Sequence, residues 1–128
     1  MQYTGYSNKG VNMAAADISK WQSQLRKGIL EMVILNILQF RTCHGYEMVQ
    51  NLKQIEGLQM REGNIYPILA RLEMESLLTS KKQPSAEGPP RKYYEITKLG
   101  LSTITEMNRH WDRMNESILV VRRNKLND

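Results

Sequence analysis

The chain has 128 residues, 41% of them hydrophobic and 24% charged, with a formal net charge of +5; this suits one soluble domain with its own core and is too short for two. The positive balance favours a polyanionic partner, nucleic acid or an acidic membrane surface. A single cysteine, Cys43, excludes an internal disulfide framework and fits a reducing cytoplasm, and no signal-peptide pattern opens the chain.

Residues 1–16, MQYTGYSNKGVNMAAA, are polar and aperiodic and read as a flexible extension, with Met13 a candidate alternative start. Asp17 is the expected N-cap of the first helix. Ile18, Trp21, Leu25 and Ile29 recur at helical spacing, with Trp21 expected to anchor the helix on its neighbours. From Ile29 to Phe40 the helix is apolar almost all round, as a central helix is. Its most apolar run, ILEMVILNIL, is about half of a roughly twenty-residue membrane span, so no membrane segment is expected.

The pattern breaks at RTCHG. A second helix follows with Met48, Val49, Leu52 and Ile55 as its stripe, ending near Gly57. The third lies in REGNIYPILARLEMES, its core side formed by Ile65, Ile68, Leu69 and Leu72. Asn64 is the expected N-cap, because Pro67 then falls in the first turn, where its missing N–H costs nothing.

Two short strands come next, LLTSKK and RKYYEIT, with QPSAEGPP as the loop between them. Pleating puts Tyr94 and Ile96 on the inner face, and Arg91, Tyr93 and Glu95 on the outer. Thr97 caps a final helix of about 25 residues, about 38 Å long at the α-helical rise. Ile104, Met107, Trp111, Met114, Ile118 and Val121 follow a heptad seam along it, the pattern of a helix packed against a second chain.

The resulting class is mainly α with a small β-hairpin: a winged helix-turn-helix with a long C-terminal dimerisation helix. Its parts are the extension (1–16), a winged-helix domain (17–97), the dimerisation helix (98–124) and a tail (125–128).

LRKGILEMVILNIL, HGYEM, EGNIYPILARLE, EGPPRKYYEIT and KLG, followed by a Trp-bearing helix, together resemble the PadR family of bacterial transcription regulators, from about Leu25 to Val121. YPILARLE followed by GPPRKYY is the most specific part. The resemblance implies a homodimer that binds operator DNA, most often as a repressor, with the third helix in the major groove and the wings along the flanking backbone. It also implies, for some members, release of DNA by a phenolic or hydrophobic ligand near the dimer interface. The single long C-terminal helix resembles the family's smaller subgroup. Three positions depart from the family pattern: Arg61 replaces a small capping hydroxyl, Asn64 replaces threonine, and Ser76 replaces the glycine that ends the third helix. A left-handed serine costs on the order of 1 kcal/mol, so a different turn into the wing is expected there.

For DNA contact the third helix offers Arg61, Glu62, Asn64, Tyr66 and Arg71, since groove-reading helices present their N-terminal residues to base edges. The wing offers Lys81, Lys82, Arg91, Lys92 and Tyr93 to phosphates; the plainer alternative is a solvated hairpin guarded by lysines. His44 and Tyr46 open the second helix, either as a phosphate clamp or as buried, hydrogen-bonded residues. Trp111, Met107 and Met114 either line an effector pocket for a small aromatic or hydrophobic molecule or fill the dimer interface. With two histidines, one cysteine and no phosphate loop, HExxH or paired-cysteine motif, neither an enzyme nor a metal or cofactor site is expected. A protein-binding winged helix without operator recognition is the alternative to a DNA-binding regulator.

Overall fold

The computed structural model describes residues 15–127 and orders its elements as α1 (Ser19–Leu38), β1 (Cys43–His44), α2 (Gly45–Lys53), α3 (Glu62–Met74), β2 (Leu78–Ser85), β3 (Gly88–Ile96) and α4 (Lys98–Arg122). Most of the extension, including Met13, lies outside the described residues. Leu30, Ile34, Leu35 and Leu38 of α1 meet Met48 and Leu52 of α2, Ile65, Leu69 and Leu72 of α3, Leu78, Tyr94 and Ile104 in one core. Each fully buried aliphatic side chain there contributes on the order of 2 kcal/mol. Asn36, polar inside the apolar run of α1, exchanges two 2.9 Å amide hydrogen bonds with Asn108 of α4, which fixes the contact of those helices.

Asp17 sits outside the helix, one residue further out than a cap, because Ile18 holds the cap position. Its carboxylate still serves the first turn, accepting from Ser19 N–H at 3.0 Å and Ser19 Oγ at 2.6 Å. Trp21 is not an anchor: it is 58% exposed, and Leu25 and Phe40 are exposed too. The N-terminal half of α1 runs past the core, and among the described residues nothing buries Trp21 or Leu25. Ile55 falls beyond the end of α2 and is likewise exposed.

Asn64 is not the cap of α3. Its N–H bonds Arg61 O at 3.0 Å in a tight first turn, so the helix starts at Glu62, Arg61 caps it, and Pro67 lies inside. The bond Pro67 cannot make would go to Gly63 O; Gly63 and Pro67 are both exposed, so water can serve that carbonyl.

Ser76 takes the left-handed conformation (φ 65°) that glycine adopts most readily. Leu77 N–H reaches Leu72 O and Ser76 N–H reaches Glu73 O, each at 3.0 Å, the paired bonds of a Schellman motif. Leu77 and Leu72 add its apolar contact. Gly100 is required at the start of α4, since a Cβ there would collide with the Leu77 carbonyl.

The sheet has three strands in the order β1-β3-β2. The short β1, absent from the sequence reading, pairs Cys43 with Tyr94 and His44 with Tyr93. The wing strands run further than expected, taking in most of QPSAEGPP and leaving Ala86 and Glu87 between them. Register passes from Gln83↔Arg91 to Ser85↔Gly88, with one more residue on β3 than on β2. This bulge holds Pro84, Pro89 and Pro90, which have no N–H to offer a ladder.

Candidate nucleic-acid interface

The core contacts of α3 orient its other side. At about 100° per residue, Gly63, Pro67, Ala70 and Met74 form the centre of the outward face, and all four are exposed. These are small or apolar residues, so the helix backbone can approach a groove closely. Asn64 and Arg71 flank this ridge on the side of α1; Glu62, Tyr66 and Glu73 flank it on the side of α2 and the wing. The Tyr66 ring covers Gly45, where an added Cβ would lie 2.5 Å from a ring carbon, so the ring's seat on α2 depends on that glycine. Burial pushes the Tyr66 phenol up, aided by the neighbouring Glu62 carboxylate, and Tyr66 OH donates to Glu62 Oε2 at 3.4 Å. Arg71 is committed to Glu31 of α1 at 2.7 Å.

The wing is pinned to α3 by Glu73. Ser80 Oγ of β2 donates to Glu73 Oε2 at 2.6 Å, and Lys92 Nζ of β3 lies 3.5 Å from Glu73 Oε1 and 5.9 Å above the Tyr94 ring. The sequence reading missed Glu73; its spacing from Tyr66 and Glu62 on one helical face was the available signal. On the other face Arg91 Nη1 contacts His44 Nε2 at 2.9 Å. Tyr93 is half-buried rather than outward, packed edge-on against the His44 ring at 5.0 Å between centroids. Of the four wing cations, Lys92 and Arg91 therefore have partners in the chain, and Lys81 and Lys82 have none among the described residues.

His44 is 7% exposed and caps α2: its side chain accepts from Glu47 N–H, while the Glu47 carboxylate accepts from His44 N–H. This is the buried alternative for His44, whereas Tyr46 stands exposed. Cys43, fully buried in the core, has its thiol pushed up by burial, with Glu47 adding to the effect and Arg41 opposing it.

The seam of α4 divides. Ile104 is fully buried in its own core, so it is not available to a partner, and Met107 packs against that core. Further along, Trp111 is half-buried, and Met114, Ile118 and Val121 are 44, 48 and 59% exposed. Between α4 and the first half of α1 lies an open groove of about 530 Å³, lined by Leu25, Gly28, Ile29 and Met32 against Met107, His110, Trp111 and Met114. Leu25 and Ile29, two positions of the apolar stripe at helical spacing, thus border this groove. Among the described residues no three potential metal ligands gather, and no helix is long and apolar enough to cross a membrane.

Residues 34–106 match the family model described as the transcriptional regulator PadR-like family. A PadR family transcriptional regulator from Eggerthella lenta superposes with a TM-score of 0.74 at 30% identity, over 81% of this chain and 90% of that one. A PadR-like transcription factor from Bacteroides fragilis gives 0.68 at 36% identity, over 80% and 99%. A transcriptional regulator of Mycobacterium tuberculosis is 28% identical over 75% of this chain and 88% of its own length. The sequence matches and the shared winged-helix architecture agree: the chain belongs to the PadR-like family of transcriptional regulators, DNA-binding proteins rather than enzymes.

Proposed function

We propose that this regulator acts as a homodimeric repressor that binds a pseudo-palindromic operator, with one α3 in each of two successive major grooves about one helical turn apart. The observation that carries the reading is the outward ridge of α3, small at Gly63, Pro67 and Ala70 and flanked by Asn64 and Tyr66 with Arg61 at its start, next to a wing whose Lys81 and Lys82 have no partner among the described residues. Asn64 suits adenine and Arg61 suits guanine or a phosphate. The exposed Trp21, Leu25, Met114, Ile118 and Val121 support dimerisation, since apolar side chains gathered on two adjacent helices mark an interface.

The groove beside Trp111 supports a small flat aromatic or hydrophobic effector, its volume being that of a drug-sized site. A partner chain packed on α4 would close its open side. A ligand there would weaken DNA binding by its differential affinity for two spacings of the recognition helices.

Titration of a duplex carrying the gene's own upstream region against an unrelated duplex, over a range of salt, tests the reading. A tighter, steeply salt-dependent complex with the first is expected. Salt-insensitive or absent binding to both would leave a protein-binding winged helix instead.

A further inference from the structure

A second cleft lies on the opposite face of α1 from the Trp111 groove, between α1 and the start of α3. It has a volume of about 510 Å³, and Arg26, Lys27, Arg61 and Arg71 line it together with Asn64. Among the described residues no acidic side chain lines it. Glu31, one helical turn further along α1, reaches only Arg71, at 2.7 Å. Arg26, Lys27 and Arg61 have no ion pair or side-chain hydrogen bond among the described residues. Three uncompensated cations from two elements repel one another at close quarters, and a polyanion relieves that repulsion. An ordinary solvated helix face would interleave acids, as α1 itself does at Glu31.

The placement points to the ligand. A major groove is bounded by two phosphate backbones, and a helix lying in it has one along each flank. The wing with Lys81 and Lys82 lies on one flank of α3. The Arg26–Lys27–Arg61 cleft lies on the other, directly beside Asn64. We infer that Arg26 and Lys27 of α1, with Arg61, form a backbone clamp that grips the phosphates of the DNA strand opposite the wing. This rests on the reading of α3 as the groove-entering helix. It gives α1 two jobs on two faces: Ser23, Arg26 and Lys27 toward DNA, and Leu25, Gly28 and Met32 toward the Trp111 groove.

The test uses the full chain, the own-upstream duplex and the unrelated duplex across a salt series. In R26A/K27A both duplexes should lose affinity by the same factor, on the order of tenfold or more at 0.1 M salt, and the log–log salt slope should become shallower by about 0.9 per charge per protomer. R26K/K27R should restore both, and a charge-matched control, K98A/K125A, should keep the wild-type slope. An unchanged slope in R26A/K27A, with wild type still binding steeply, overturns the clamp and leaves the DNA-binding reading intact. So does an equal change in the control, which would mean a diffuse field. Loss confined to the own-upstream duplex overturns it in favour of base reading. Wild type without salt-dependent binding to either duplex would remove the DNA-binding reading and the clamp together.

Discussion

Arg91 Nη1 of the wing lies 2.9 Å from His44 Nε2, while the other ring nitrogen, Nδ1, faces the Glu47 N–H at 3.3 Å. Both neighbours are donors, and a neutral imidazole has one acceptor nitrogen. His44 therefore cannot satisfy the cap and the guanidinium at once. The helix cap and the wing contact of Arg91 compete for a single lone pair.

Replacement of His44 separates its two tasks. H44A removes the cap and the packing against Tyr93, and should lower stability by about 1–2 kcal/mol. H44N retains a good capping side chain and should recover most of the loss, with DNA affinity at or above that of wild type because Arg91 is released. Urea unfolding at fixed protein concentration, followed by duplex titration, reads both. Equal destabilisation by the two variants would mean that packing, not the cap, governs His44.

The wing cations should not contribute equally. Among the described residues Lys81 and Lys82 have no partner, and Lys92 is held by Glu73. K81A/K82A is expected to make the salt slope shallower by about 0.9 per charge per protomer. K92A should change it less and should loosen the wing instead, seen as faster amide exchange in β2 and β3. A larger slope change for K92A than for K81A/K82A would reverse this ranking.

Two positions at the hinge between α3 and the wing have opposite expectations. S76G relieves a left-handed serine and should stabilise by about 1 kcal/mol. G100A drives a Cβ into the Leu77 backbone carbonyl, which cannot swing aside as a side chain could, and should cost about 2 kcal/mol or more. Thermal and urea unfolding midpoints measure both.

The thiol of Cys43 and the phenols of Tyr66 and Tyr94 are all pushed up, burial being the largest cause in each. The folded chain then keeps protons that the unfolded chain releases, so the unfolded state binds fewer protons and stability falls as pH rises. The fall should begin above the ordinary thiol range, at about pH 8.5, and steepen through the phenol range near pH 10. A urea midpoint that is flat over that window would contradict it.

Flat aromatic molecules should quench the fluorescence of a W21F variant saturably, through Trp111, and should leave W111F unquenched at the same concentrations. Persistent quenching in W111F would place the effect at exposed Trp21 and discard the effector groove.

Local rules were enough for much of the fold. Helical periodicity located α1 to α4, Thr97 capped α4 as expected with its hydroxyl accepting from Gly100 N–H at 2.9 Å, and the pleat correctly turned Tyr94 inward. These depend on neighbours a few residues away, which the chain order itself supplies. Only the tertiary structure could decide which apolar residues have a partner within the chain. Ile104 and Leu25 look alike in sequence, yet one is sealed in the core and the other borders a groove between α1 and α4. It also decided which charges are spent. Glu73 neutralises Lys92 and Glu31 neutralises Arg71 across 19 and 40 positions of sequence, so among the described residues the cations without an ion pair that flank α3 include Lys81 and Lys82 on one side and Arg26, Lys27 and Arg61 on the other. Net charge is a property of composition, whereas the charge available to DNA is what remains after folding has paired the rest.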